Sequence, residues 1–267
     1  MPDHVSVSPK LLYVVGAGPG DPELITVKGQ RLLATADVVL TTGSLVPEEL
    51  LSWCRVDAEI VDTRSHTLES WIPLAIERVQ VGLQVVRLQD GDPCLYGALY
   101  ELLTRMLAAG IQVEIVPGVS AFQLAAARLG VELTVPELVQ TIILTRTSGR
   151  TQVPAAEELS LLASHQASLC LYLSARHVEQ AQAQLLTHYP PETPMAICYR
   201  LGWPDEWIQL GSLAEMAALS RDQDLERTVL YLISPALKGV EASDPTRSRL
   251  YSPDHAHLFR ARQKSQG

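Results

Sequence analysis

The chain has 267 residues, 47% of them hydrophobic and 19% charged, with 30 acidic against 21 basic side chains and a net charge of −9. That size gives one large domain or two small ones. The acidic balance argues against a nucleic-acid binder and against an anionic membrane partner, both of which need clustered positive charge.

In chain order, residues 11–15 (LLYVV) form a continuous apolar run ending in glycines, the pattern of a strand buried on both faces. A helix is predicted over 24–35, with Asp21 as cap and Pro22 in the first turn. Strands follow at 38–41, 60–62 and 85–89, separated by a helical period over 68–81. A helix over 98–109 closes at Gly110, a strand covers 113–116, and a helix over 120–129 ends at Gly130. This β–α alternation predicts a mostly parallel sheet with helices on its faces.

The pattern pauses over 131–140, where Pro136 marks a linker. Strands resume at 141–145, 169–173, 195–199, 207–210 and 228–233, with helices at 157–164, 178–188 and 213–220. Several connections there are short, so the second sheet is expected to be mixed. The expectation is an α/β fold of two α/β domains, 10–134 and 139–237. Residues 238–267 lack periodicity and read as a flexible tail.

The four cysteines lie far apart, no CxxC exists, and only His255 and His257 are closely spaced, so no metal site is expected. The cysteines read as reduced thiols. No apolar run approaches the ~18 residues of a membrane span, and residues 1–10 (MPDHVSVSPK) do not resemble a secretory signal. A cytoplasmic protein is expected.

Three glycine-bearing loops follow strands and precede helices. The first, GAGPGD (16–21), has neither the GxGxxG spacing of a dinucleotide loop nor the Gly-Lys-Ser/Thr of a phosphate loop, and Asp21 would repel a pyrophosphate. It is either a tight strand-to-helix turn or a loop whose backbone approaches a cationic or zwitterionic ligand. The second, DGDPCLYG (90–97), is a ligand loop or a helix start with Asp92 at the N-cap and Pro93 at N1. The third, PGVSA (117–121), opens a helix with small residues. All three fall at the carboxyl edge of predicted strands, where open α/β sheets hold ligands.

In this order and spacing the three motifs resemble the tetrapyrrole methylase family, S-adenosylmethionine-dependent enzymes that modify corrin precursors. The likeness runs from about Leu11 to Leu237. Segments 42–47 (TGSLVP), 148–154 (SGRTQVP) and 202–206 (GWPDE) are similar to the branch that methylates C-11 of precorrin-4 in cobalamin biosynthesis. Sibling branches act at other ring positions, on uroporphyrinogen, or on rRNA and a modified histidine (diphthine-type). The donor loops do not separate these, although the acidic chain disfavours the RNA branch.

The resemblance implies a homodimer whose two domains enclose the methyl donor in a cleft. Carried over by motif, Pro19 lines that cleft, and Gly91, Asp92 and Leu95 meet the donor's amino-acid and sugar portions. Tyr96 stacks or hydrogen-bonds there, or is simply a half-buried aromatic. Ser120 and Ala121 cradle the donor, while Leu173 and the segment from Ala196 to Arg200 flank its adenine. The implied substrate is a polycarboxylate, and 17 of the 21 basic residues are arginine, the better carboxylate partner. At least two of Arg64, Arg146, Arg150, Arg176 and Arg200 are therefore expected to bind substrate; for each alone, a solvated surface cation is the alternative. No catalytic side chain is singled out, because transfer from a sulfonium needs orientation rather than a protein nucleophile.

Overall fold

The computed structural model describes residues 10–149 and 151–238. The first sheet comprises β1 (Leu11–Gly16), β2 (Val38–Thr41), β3 (Glu59–Asp62), β4 (Val85–Gln89) and β5 (Gln112–Val116) in the order β3-β2-β4-β1-β5. Every pairing in it is parallel. The central strands β1, β2 and β4 are buried on both faces, which is why β1 and β2 read as unbroken apolar runs and β4 as one interrupted by Arg87.

Helices α1 (Val27–Thr35), α2 (Leu68–Gln80), α3 (Leu99–Ala108) and α4 (Ala121–Leu129) connect or follow these strands. Alternation along β1 and β2 sends Leu12, Val14, Val38 and Leu40 against Trp71, Ile72, Leu102 and Met106 of α2 and α3. The intervening Val15 and Val39 face Leu33 of α1 and Leu50. Leu50 lies in a 3-10 stretch, Glu48–Trp53, that the sequence reading missed. α1 also starts later than its pattern suggests. Thr26 caps it, its hydroxyl accepting from Gly29 N at 3.0 Å, while Asp21 and Pro22 begin a separate short turn, Pro22–Leu24.

The second sheet is mixed, in the order β6-β7-β10-β8-β9, with β6 (Ile142–Arg146), β7 (Ser168–Tyr172), β8 (Pro194–Tyr199), β9 (Trp207–Ser212) and β10 (Val229–Ile233). Only β6 and β7 pair in parallel. One face packs on α5 (Leu159–Ala163), α6 (Val178–Leu185) and α7 (Met216–Asp222), where Leu159, Leu169, Leu185, Met216 and Tyr231 form one core. Cys170 and Cys198 are buried, and burial pushes the Cys170 thiol up to about 12, so it stays protonated.

The chain divides into two compact units. Of the described residues, one unit comprises 10–124 with Arg200–Glu206, and the other Ala125–Tyr199 with 207–238. The division falls inside α4, ahead of the 131–140 segment. The chain after Lys238, including His255 and His257, lies outside the described residues.

Candidate active site

Topology fixes where the first unit can hold a ligand. The chain leaves β1 for α1 on one face of the sheet and leaves β4 for α3 on the other. β1 and β4 are neighbours. Between two strands whose connections depart to opposite faces a crevice opens at the carboxyl edge. The loops after β1 and β4 occupy that place, and the loop after β5 stands beside them.

The three loops interlock through backbone atoms. Ala17 N donates to Gln89 O at 2.7 Å, Gly18 N to Gly91 O at 3.3 Å, and Gly91 N to Gly18 O at 2.8 Å. A Cβ on Gly16 would lie 2.5 Å from Gly118 Cα and 2.7 Å from Gly91 O, and one on Gly118 would collide with the same carbonyl. Glycine is required at 16 and 118 by closeness. Gly91 is different: open space surrounds its missing Cβ, but its φ of +59° favours glycine.

Asp92 does not cap a helix at Pro93, because α3 begins only at Leu99. Its carboxylate instead accepts from Cys94 N at 2.8 Å and, across to the third loop, from Gly118 N at 3.0 Å. Gln89 Nε2 closes the second loop on itself by donating to Gly97 O at 2.7 Å. Tyr96, 45% exposed, and Ala98 both sit at positive φ. Such backbone costs about 1 kcal/mol or more per residue and tends to cluster at functional sites. Leu95 is half-buried beside the Asp92 turn, its N donating to Asp92 O at 3.1 Å.

In the third loop Ser120 is buried, and its N–H donates to Gln123 Oε1 at 2.9 Å, half of a capping box at the head of α4. Ala121 is the first residue of that helix. Segment 200–206 packs on the first loop beside Pro19. A Cβ on Gly20 would lie 2.5 Å from Leu201 O and collide with the Trp203 ring. Arg200, at positive φ, stacks over that ring at 4.5 Å and donates to Asp205 Oδ1 at 2.7 Å. Pro19, Gly91, Asp92, Leu95, Tyr96, Ser120, Ala121 and Arg200 thus belong to one compact unit.

Beside the loops stands a second group, in which the sequence motifs mark Asp90 and Thr42 but not Arg87. Asp90 accepts from Thr42 Oγ1 at 3.1 Å, and its burial raises its pKa against that bond. Arg87 is buried over Trp71, 4.3 Å from the ring centroid, and its pKa falls to about 10 through desolvation. An arginine inside an apolar strand was the available signal. Arg64 is exposed and pairs with Asp62.

In the other unit, Arg146 donates to the carbonyls of Thr147, Thr151 and Gln152 at 3.0–3.3 Å and so ties up its own loop. Thr147 N and Oγ1 both donate to Ser174 Oγ at 3.0 Å. Leu173 is not on a strand, since β7 ends at Tyr172; it is 68% exposed at positive φ. Ala196 is fully buried within β8, paired to Leu232. Arg176 pairs with Glu226 at 3.0 Å on the surface. Arg150 lies outside the described residues.

Among the described residues no cluster of three or more His, Cys, Asp or Glu could hold a metal ion. No helix there is long and apolar enough to cross a membrane. What the first unit offers is a backbone cradle, braced by one carboxylate, at the switch point of a parallel sheet. That defines a two-unit α/β protein whose first unit carries glycine loops where open α/β sheets hold ligands.

The sequence pattern of the tetrapyrrole (corrin/porphyrin) methylases matches residues 11–217, and the chain belongs to that family of methyltransferases. It is 42% identical to a precorrin-4 C(11)-methyltransferase of Pseudomonas aeruginosa, over 93% of this chain and 98% of that one. It resembles the crystal structure of a cobalt precorrin-4 methyltransferase with a TM-score of 0.83 and 39% identity, over 85% of this chain and 96% of that one. A uroporphyrin-III C-methyltransferase from Thermus thermophilus, solved with S-adenosylhomocysteine, aligns with a TM-score of 0.70 at 28% identity, over 85% and 98%.

Proposed function

We propose that this chain transfers a methyl group from S-adenosylmethionine to C-11 of precorrin-4. The observation that carries the reading is the likeness, over nearly the whole chain, to proteins of that name. The cradle fits the donor on physical grounds. Glycines at 16 and 118 keep side chains out of a place where three backbones meet, and the nearby acids Asp90 and Asp92 suit a cationic sulfonium rather than a phosphate.

In this reading Pro19, Gly91, Asp92, Leu95, Tyr96, Ser120 and Ala121 hold the donor, with Leu173 and Arg200 at its adenine; Ala196, fully buried within β8, does not reach it. Asp92 acts through the loops, since both of its oxygens already accept backbone N–H groups. When bound, S-adenosylmethionine supplies a methyl activated by its own positive sulfur, and this chain contributes alignment, worth up to about 7–11 kcal/mol. Arg64, Arg146, Arg150 and Arg176 are proposed to meet substrate carboxylates, Arg146 by shaping the loop that carries Arg150. If Arg→Ala changes at these four and at Arg200 all leave the substrate KM unaltered, that assignment is wrong.

A cytoplasmic homodimer with domains at 10–134 and 139–237 completes the proposal. Light scattering tests the dimer, and limited proteolysis the limits. The function itself is tested with isotopically labelled donor and precorrin-4, offered both metal-free and with cobalt because the similar proteins carry both names. NMR of the product should place the new methyl at C-11. A methyl elsewhere on the ring assigns a sibling activity instead.

A further inference from the structure

Arg87 occupies a position that its neighbours mark as apolar. β4 lies between β2 and β1, and Val85, Val86 and Leu88 around Arg87 are fully buried. Arg87 itself is 8% exposed. Its guanidinium lies over Trp71, and Nη1 donates to Thr63 Oγ1 at 2.6 Å and, at the limit of a hydrogen bond, to Leu40 O at 3.5 Å. All of these partners are neutral. Arg55, Arg64, Arg78, Arg105, Arg176, Arg200 and Arg221, by contrast, each pair with a carboxylate. No carboxylate among the described residues lies within ion-pair distance of Arg87, and Asp90 uses Oδ1 on Thr42.

A desolvated cation whose bonded partners are all neutral, and whose nearest opposing charge, Asp90, acts only from beyond ion-pair distance, is costly to keep. The donors Nε and Nη2 make no bond to any described residue, yet they are not sealed away, for the one sealed, unpartnered side-chain atom among the described residues is Trp203 Nε1. Thr63 directly follows β3, and Asp90 begins the second glycine loop three residues beyond Arg87. The guanidinium therefore reaches the same carboxyl edge as the cradle.

We propose that Arg87 is an anion anchor whose Nε and Nη2 edge receives one carboxylate of the tetrapyrrole substrate. The inference rests on the functional reading above and adds a specific substrate contact to it. Two parallel N–H donors match a carboxylate's two oxygens, a fit that lysine cannot reproduce. Arg87 touches a peripheral group rather than the reacting carbon, so it sets substrate affinity and position.

The test uses the full chain with precorrin-4. Arg87→Gln should raise the KM for precorrin-4 about tenfold or more while leaving kcat and the Kd for S-adenosylmethionine within about twofold; Arg87→Lys should fall between. An Arg87→Gln enzyme with unaltered KM overturns the anchor. A measurement on the unsubstituted chain stands beside it in case the variants do not fold. The NMR signal of the Arg87 Nε–H should move on addition of precorrin-4 and stay in place on addition of S-adenosylmethionine alone. A signal unmoved by bound precorrin-4 overturns the anchor and leaves the functional reading standing. An unsubstituted chain that neither binds nor methylates precorrin-4 overturns that reading, and the anchor with it.

Discussion

Past the ends of β1, β4 and β5 the first unit presents backbone: three loops held by Gly16, Gly18, Gly91 and Gly118, with Asp92 as the brace. Past β6 and β7 the second unit presents side chains instead. Arg146 gathers the carbonyls of its own loop, Thr147 holds Ser174, and Leu173 projects from a left-handed turn. A backbone site tolerates almost no change at its closest approaches, because a carbonyl cannot move as a side-chain tip can. A side-chain edge can repack, so substitutions there should cost less.

The sharpest way to break this contrast is Gly118→Ala. The new methyl meets Gly91 O, so a loop must shift, at about 3 kcal/mol, with most of the affinity for S-adenosylmethionine lost. Gly91→Ala, one loop away, meets open space and pays only for its positive φ, about 1 kcal/mol. Urea unfolding and calorimetric titration with the donor measure both. Equal effects would mean that conformation rather than closeness builds the cradle.

Next in size is Asp92→Ala, which leaves Cys94 N and Gly118 N without acceptors and should cost about 2 kcal/mol, with donor affinity weakened in proportion. Asp92→Asn keeps one acceptor oxygen and should lose less. Unchanged donor affinity in the Ala variant would show that the second and third loops hold their places without the brace.

The same contrast explains what could be read before the fold was known. Gly16, Gly91 and Gly118 stand in short motifs after apolar runs, so both the parallel sheet and its loops were legible. Asp92 was legible as important but not in its role. A cap at Pro93 was the local reading, and its actual partner, Gly118, is 26 residues away. Arg146 and Leu173 carry no motif, because their settings depend on loop carbonyls and a turn that no periodicity encodes. Ala196 falls by resemblance at the donor's adenine, yet the burial of β8 encloses it. Arg87 carries no motif, since the run around it reads as an ordinary strand, and only the fold shows that its cation has no carboxylate within ion-pair distance.

In the second unit the expected changes are smaller. Leu173→Gly relieves a left-handed leucine and should raise stability by about 1 kcal/mol, since the exposed side chain forfeits little packing. If the leucine also flanks the donor's adenine, calorimetry on the same variant should show weaker binding. Gained stability with full donor affinity would remove Leu173 from the site.

Two acids extend the comparison to pH. Burial holds the folded-state pKa of Asp90 above the ordinary aspartate value, so between those two values the folded chain binds more protons and stability falls as pH rises. Asp90→Asn removes that cost. The variant should melt higher than its parent at pH 7, and the two should converge below pH of about 4. Glu215 in the second unit is the reverse case. Hydrogen bonds from the Ser212 hydroxyl and backbone N–H, in a capping box, hold its pKa low. Its contribution is present above the ordinary glutamate value and fades as pH falls through the lowered one. Glu215→Gln should therefore melt slightly lower than its parent at pH 7, and that gap too should close in acid. Melting curves between pH 3 and 8 (a range spanning both ordinary carboxyl values) would show gaps of opposite sign. Gaps of the same sign would mean that Asp90 is not desolvated at the carboxyl edge.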